Sequence, residues 1–220
     1  MTRTLIILLL FIQNLSADSK ILKFKNSSIP FIETFSDEKV KHHFNTELSK
    51  RLARLRCHPR FADKPFSFWE NYTSIQYSKN DILSIKIRSN YNCDGVHPSL
   101  DIDHSFSYDL ENNRLVTLDD IFQKKSSTLS LIREKLYSRI TQEACQDEIT
   151  YYLESEKLFK EYLNFYFSEK GIVFILKLPH GIRHCMNPVE IAYGDIHNKT
   201  AYTGPLKKIL RKYEAKSSRQ

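Results

Sequence analysis

The densest group of residues able to do chemistry lies between Asn92 and Asp103. Asn92-Cys93-Asp94-Gly95-Val96-His97-Pro98 is a turn-rich loop carrying a thiol, a carboxylate and an imidazole, and Asp101 and Asp103 follow closely. An imidazole beside carboxylates can perform general acid–base chemistry, and two carboxylates on one strand face can hold a cation. The plainer reading is that His97 hydrogen-bonds its own turn while Asp101 and Asp103 pair with Lys86 and Arg88 across a sheet. A loop tied down by a cysteine suits recognition. Asp94, Gly95, His97 and Pro98 are therefore the candidate binding loop, and no catalytic residue is assigned.

Other reactive side chains carry less. His180 and His184 stand at the i, i+4 spacing of helical metal ligands. Gly181 and the flanking Pro179 and Pro188 argue against a helix there, so no metal or cofactor is expected. His104 falls on the apolar face of its strand and reads as a core histidine. No G-x-S-x-G, H-E-x-x-H or phosphate-binding glycine loop occurs, and the chain has only 5 glycines. Asn26, Asn71 and Asn198 begin N-x-S/T sequons, which matter only in a eukaryotic secretory pathway.

The elements that must position the loop are two strands. Leu83, Ile85, Ile87 and Tyr91 alternate with Ser84, Lys86 and Arg88; Leu100, Ile102, His104, Phe106 and Tyr108 alternate with Asp101, Asp103, Ser105, Ser107 and Asp109. Period-two patterning predicts strands with one buried and one wet face. Phe66 to Tyr77 reads as a further strand, with Ser78 to Asp81 as a hairpin turn. Ser36 is the expected cap of a helix running to Cys57, with Val40, Phe44, Leu48, Leu52 and Leu55 as its apolar stripe. Ser127 or Thr128 caps a second long helix with Leu129, Ile132, Leu136 and Ile140 on one face, ending near Cys145. A single helical turn is expected at Asp119 to Phe122 and a short helix at Glu156 to Tyr162. A second hairpin spans Asn164 to Leu178, a last strand Val189 to Tyr193, and a basic helix Lys207 to Lys212. The fold class is α+β: a mostly antiparallel sheet packed with two main helices, in a single domain.

Composition bounds the rest. The 220 residues carry a formal charge of +7 and 12% aromatic residues, enough for a proper core and unlike a disordered chain. The short basic start Thr2-Arg3, the apolar run Leu5 to Ile12 and Leu15-Ser16-Ala17 have the form of a secretory signal peptide over residues 1–17. That run is shorter than the roughly 20 apolar residues a membrane span needs, so no transmembrane segment is expected after cleavage. Residues 18–204 form the expected domain and 205–220 a basic C-terminal helix and tail. Export favours disulfides among Cys57, Cys93, Cys145 and Cys185. Three pairings are open, and Cys57–Cys93 with Cys145–Cys185 is preferred because each closes a local loop from a helix end. The moderate positive charge argues weakly for an anionic envelope partner, and nucleic acid is an unsuitable partner for an exported protein.

The runs ILSIKIRSNYNCDGVHPS, FSYDLENNRLVTLDDIF, FYFSEKGIVFILKLPH and VEIAYGDI together resemble a bacterial extracellular domain of unknown function. That domain occurs in RsiV-type lysozyme-sensing anti-sigma factors and beside the catalytic domain of PdaC-type peptidoglycan deacetylases. The resemblance covers roughly residues 29–196, and its most specific part is the G-x-H-P loop of Gly95, His97 and Pro98. The family loop often carries two glycines; here the first is Asp94. The resemblance implies a periplasmic or secreted α+β module that binds a lysozyme-like protein or peptidoglycan. It carries over neither sigma-factor control nor deacetylation. The expected function is a non-enzymatic binding module. The alternative is a small cell-wall hydrolase or transferase using His97 with Asp101 or Asp103.

Overall fold

The computed structural model describes residues 22–25, 29–54, 68–92, 100–122, 125–179, 181–199 and 202–217. Residues 1–17, read as a signal peptide, Cys57 and all of residues 93–99 lie outside them. The α+β class holds, with three antiparallel sheets and seven helices among the described residues, where two main helices, a single helical turn and two shorter helices were expected. None of those helices is long and apolar enough to cross a membrane.

The central sheet has four strands in sequential order: β3 (Phe68–Lys79), β4 (Ile82–Asn92), β5 (Leu100–Asp109) and β6 (Arg114–Leu115). β3 and β4 are joined by Asn80 and Asp81, both at positive φ (57° and 58°). That is the two-residue turn whose twist matches a hairpin, and Asn and Asp tolerate it best among residues with a Cβ. In register, Arg88 stands opposite Asp103 as expected, but Lys86 opposes Ser105 and Asp101 opposes Asn90.

One face of this sheet is covered as the alternation predicts. Leu83, Ile85, Ile87, Phe106 and Tyr108 are buried against α1 (Glu38–Ala53), whose Val40, Phe44, Leu48 and Leu52 form the matching stripe. A ribbon of β1 (Lys23–Phe24) and β2 (Ile32–Thr34) closes that side. The helix cap differs from expectation. Asp37, not Ser36, accepts from the amides of Lys39 and Val40 at 2.9 and 3.1 Å, because its carboxylate reaches the orphan donors from one residue later.

The second face departs from the prediction. Ser84, Ser105 and Ser107 are not wet but buried, beneath a second sheet of β7 (Leu163–Phe167), β8 (Gly171–Leu176) and β9 (Val189–Ala192). Ser84 and Ser107 hydroxyls bond each other at 2.6 Å, and the Phe167 amide donates to Ser84 Oγ at 3.1 Å. Ser105 Oγ donates to Asn164 Oδ1 at 2.6 Å and touches the Phe165 carbonyl oxygen. Serine lets the two backbones approach and satisfies the groups that approach buries. A bulge between Ile75 and Tyr77 turns Tyr77 onto this covered face, where its ring meets Phe167 at 6.2 Å.

The second sheet is backed by helices: α2 (Leu118–Ile121), α3 (Lys125–Tyr137), α4 (Gln146–Glu154), α5 (Glu156–Tyr162), α6 (Tyr193–Lys199) and α7 (Gly204–Ser217). The expected second helix thus starts earlier, at Lys125, with Thr128 inside it. It stops at Tyr137, so Cys145 ends a separate 3₁₀ turn. The basic C-terminal stretch is a core helix, with Leu206, Ile209 and Leu210 buried among the residues of the second sheet. It begins at Gly204, at φ 48°, where a Cβ would sit 2.5 Å from the Asp120 carbonyl oxygen, so only glycine fits.

Candidate functional site

The face that carries the serines has two halves. Towards the Asn80–Asp81 turn it is sealed by β7. Towards the segment joining β4 to β5 it opens to solvent, because β7 begins only at Leu163. Direct partners across the ladder share a face, so Phe68, Glu70 and Tyr72 on β3 line up with Asn92, Asn90 and Arg88 on β4. Phe68 and Tyr72 are 41% and 56% exposed, and Arg88 is exposed. The Tyr72 hydroxyl donates to Glu70 Oε2 at 2.5 Å, which fixes that ring on the open face. Asp103 occupies the register position beside Arg88, and Asp101 the one beside Asn90.

The described part of β4 on this open half ends at Asn92, and the candidate loop residues Asp94, Gly95, His97 and Pro98 lie outside the described residues. Their neighbours are in place: Tyr91 pairs with Leu100 at the last rung before the loop. The sequence reading missed Phe68 and Tyr72 as surface groups, because a strand edge rich in aromatics looks like core until its partner layer is known. His104 is half-buried opposite Ile87, as its place on the apolar face implies.

A second cluster surrounds the disulfide. Cys145 and Cys185 are joined, closing a loop of 40 residues with Cα atoms 6.1 Å apart, as the preferred pairing has it. Cys57 and Cys93 lie outside the described residues. His184 Nε2 stands 3.4 Å from Cys185 Sγ, on a 3₁₀ turn (Arg183–Cys185), and His180 is not among the described residues. With both thiols in a disulfide, the Cys145–His184–Cys185 group lacks the thiolates a soft metal needs. Replacing both cysteines by serine should cost about 4 kcal/mol by the loop-closure relation. Paired thermal melts of oxidised wild type and the double variant would measure it, and a change below about 1 kcal/mol would refute that closure estimate.

The strongly shifted groups are structural. Burial pushes the Tyr77 phenol up to about 12, and it pushes Tyr108 and Tyr193 up as well. The Tyr108 hydroxyl donates to Asn113 Oδ1 at 2.7 Å, so His43 Nδ1 donates to it in turn. Asp109 is the one fully buried carboxylate among the described residues, and it is occupied by Lys208 and the Glu111–Asn112 amides. None of these groups faces the open half of the sheet as a nucleophile.

No protein-family model matches the sequence, and no curated protein does. Solved structures do. A DUF3298 family protein from Pseudomonas aeruginosa superposes with TM-score 0.50 at 11% identity, over 86% of this chain and 92% of that one. This chain shares its fold. A DUF3298 member from Bacteroides fragilis aligns with TM-score 0.48 at 15% identity, over 78% and 82% of the two chains. At such identity the likeness speaks for architecture alone.

Proposed function

We propose that the protein is an exported, non-enzymatic binding module of the bacterial envelope. Its recognition surface is the open half of the central sheet together with the loop of Asp94, Gly95, His97 and Pro98. The observation that carries this reading is the exposure of Phe68, Tyr72 and Arg88 on one face, leading directly to that loop. Aromatic side chains and arginine are the groups that dominate protein interfaces, and exposed large rings grouped on one face mark contact surfaces. The resemblance to RsiV-type and PdaC-type extracellular domains supports the same assignment and names the partner classes: a lysozyme-like protein or peptidoglycan. The apolar run of residues 5–12 supports a signal peptide and hence a periplasmic or secreted site of action.

The test is capture of binding partners from envelope extracts by the mature protein and its His97→Ala variant. The expected result is an unchanged melting temperature with capture weakened about tenfold or more, as for loss of an interface hot spot. A variant that unfolds while its surviving folded fraction binds normally would make His97 structural and overturn the loop as the site. Soluble products released from peptidoglycan by the wild type would favour the hydrolase or transferase reading, with His97 and Asp101 or Asp103 as its acid–base pair.

A further inference from the structure

The disulfide does more than close a loop: it clamps two walls of a cleft on the helical side of the molecule. One wall is α4, which starts at Gln146 directly after Cys145; the other is formed by Pro179, Gly181 and Ile182, just before Cys185. The cleft has a volume of about 420 Å³ and is lined by Glu148, Tyr151, Tyr152, Pro179, Gly181 and Ile182. Further ties hold the walls in register. The Thr141 amide donates to the Cys185 carbonyl oxygen at 2.8 Å, and Ile140 bridges to Met186.

The chemistry of the lining is one-sided. Tyr151 is 65% exposed, and its ring meets Tyr152 edge-on at 5.7 Å and 80°. Tyr152 in turn meets Tyr162 at 5.2 Å and 65°, so successive rings stand close to right angles. Such a corner presents π faces from two directions, which is what an organic cation needs. Among the described residues Glu148 is the one charged lining residue, and its carboxylate has no hydrogen-bond or ion-pair partner among them. Burial first, then Tyr162, Tyr151 and Glu148, holds the Tyr152 phenol above its ordinary value. The α4 wall and its flanks, residues 143–161, carry six acids (Glu143, Asp147, Glu148, Glu154, Glu156, Glu161) against two bases (Lys157, Lys160), and the flanks of the opposite wall add Lys177 and Arg183, so acids outnumber bases six to four in a chain of net charge +7. A neutral sugar would want several hydrogen-bonding groups converging on it, and the described lining residues offer phenols and one carboxylate as their polar side chains.

We propose that this cleft binds an alkylammonium group, with the cation seated on Tyr151 and Tyr152 and its charge balanced by Glu148. A free diamine and a lysyl side chain share that chemistry. The site shares no residue with the candidate loop of Asp94, Gly95, His97 and Pro98, so either assignment can fail without the other.

The experiment titrates the oxidised, mature protein with four probes of similar length, followed by ligand-detected NMR. Cadaverine and N-acetyl-lysine-N-methylamide carry the cation; pentane-1,5-diol and glutarate replace it by neutral and anionic ends. Both ammonium probes should bind saturably while the diol and the dianion do not. Tyr151→Ala and Glu148→Gln should each weaken binding about fivefold or more, within the range of a cation–π contact or a charge pair near a surface. Asp147→Asn, on the same helix but outside the lining, should leave it unchanged. Tighter binding of the lysine derivative would identify a lysyl side chain as the occupant, and tighter cadaverine a free diamine. Equal binding of the diol, full binding by Tyr151→Ala, or equal losses in Asp147→Asn and Glu148→Gln would each overturn the proposal.

Discussion

Phe44→Ala should lower stability by about 3–5 kcal/mol, the range for deleting a fully buried aromatic ring. Phe44 has no exposed surface and lies at the middle of the α1 stripe. Its ring sits edge-on to Phe106 at 5.4 Å and 74° and to Tyr108 at 5.3 Å and 90°. Those geometries add about 0.5–1.5 kcal/mol per pair beyond the area buried. The site cannot collapse readily: Phe106 and Tyr108 are fixed on β5, and Tyr108 is pinned further by His43 and Asn113. Leu48, also without exposure, should cost a little less on truncation to alanine, about 2–5 kcal/mol. For a chain of this size 1 kcal/mol is about 2–4 °C, so Phe44→Ala should move the melt by about 10 °C. A shift of only a few degrees would mean that α1 contributes little to holding the sheet.

That helix was legible in the sequence because its pattern has one unambiguous period and one buried face. Val40, Phe44, Leu48 and Leu52 recur every four residues, and all four are buried. The hairpins were legible for a different reason, their turn residues: Asn80-Asp81 marks one turn and Glu169-Lys170-Gly171 the other, followed by the apolar run Ile172 to Leu176, which is buried on both faces. What failed was the assumption that a polar alternation means water. Ser84, Ser105 and Ser107 read as a wet face, yet they are the contact surface between two sheets, where small hydroxyls satisfy each other and the backbone of β7. Periodicity along one strand says which residues share a face. It does not say what lies opposite. The helix α4 was missed because only Ile149 and Leu153 of its nine residues are buried, too few points to define a period. With it went the aromatic cleft, which α4 forms with Pro179, Gly181 and Ile182 beside the disulfide. The candidate loop was named from its residue types and from the G-x-H-P resemblance, and it lies outside the described residues; β4, which leads to it in sequence, carries Arg88 on the open face with Phe68 and Tyr72 of β3.

Asp109→Ala should be nearly as damaging as the loss of Phe44, at about 3 kcal/mol, for a different reason. Asp109 ends β5 with no exposed surface, and its carboxylate organises everything that follows. Oδ1 accepts from the amides of Glu111 and Asn112 at 3.1 Å each, and Oδ2 accepts from Asn112 Nδ2 at 2.7 Å. Lys208 Nζ donates to both oxygens at 3.3 and 3.4 Å, fastening α7 to the central sheet across a separation of 99 residues. Removing the carboxylate leaves buried donors without acceptors, and the ammonium keeps only its pairing with Glu111. Breaking a buried pair from one side costs about 3–5 kcal/mol, and the part exposure of Lys208 puts this case at the low end. Asp109→Asn should cost less, because its carbonyl oxygen still accepts the two amides while its NH₂ opposes Asn112 and Lys208. Burial alone would lower the Lys208 ammonium, but the bond to Glu111 and the charge of Asp109 outweigh it and raise the group above 10.5. Its share of the stability is therefore complete below 10.5 and lost as the pH rises through the folded value. The gap in stability between wild type and Lys208→Met should be constant near neutrality and close above that point. In a double-mutant cycle, Asp109→Ala and Lys208→Met should couple by about 1–3 kcal/mol. Additive losses would show that Asp109 serves its own turn and that α7 is held by Leu206, Ile209 and Leu210 alone.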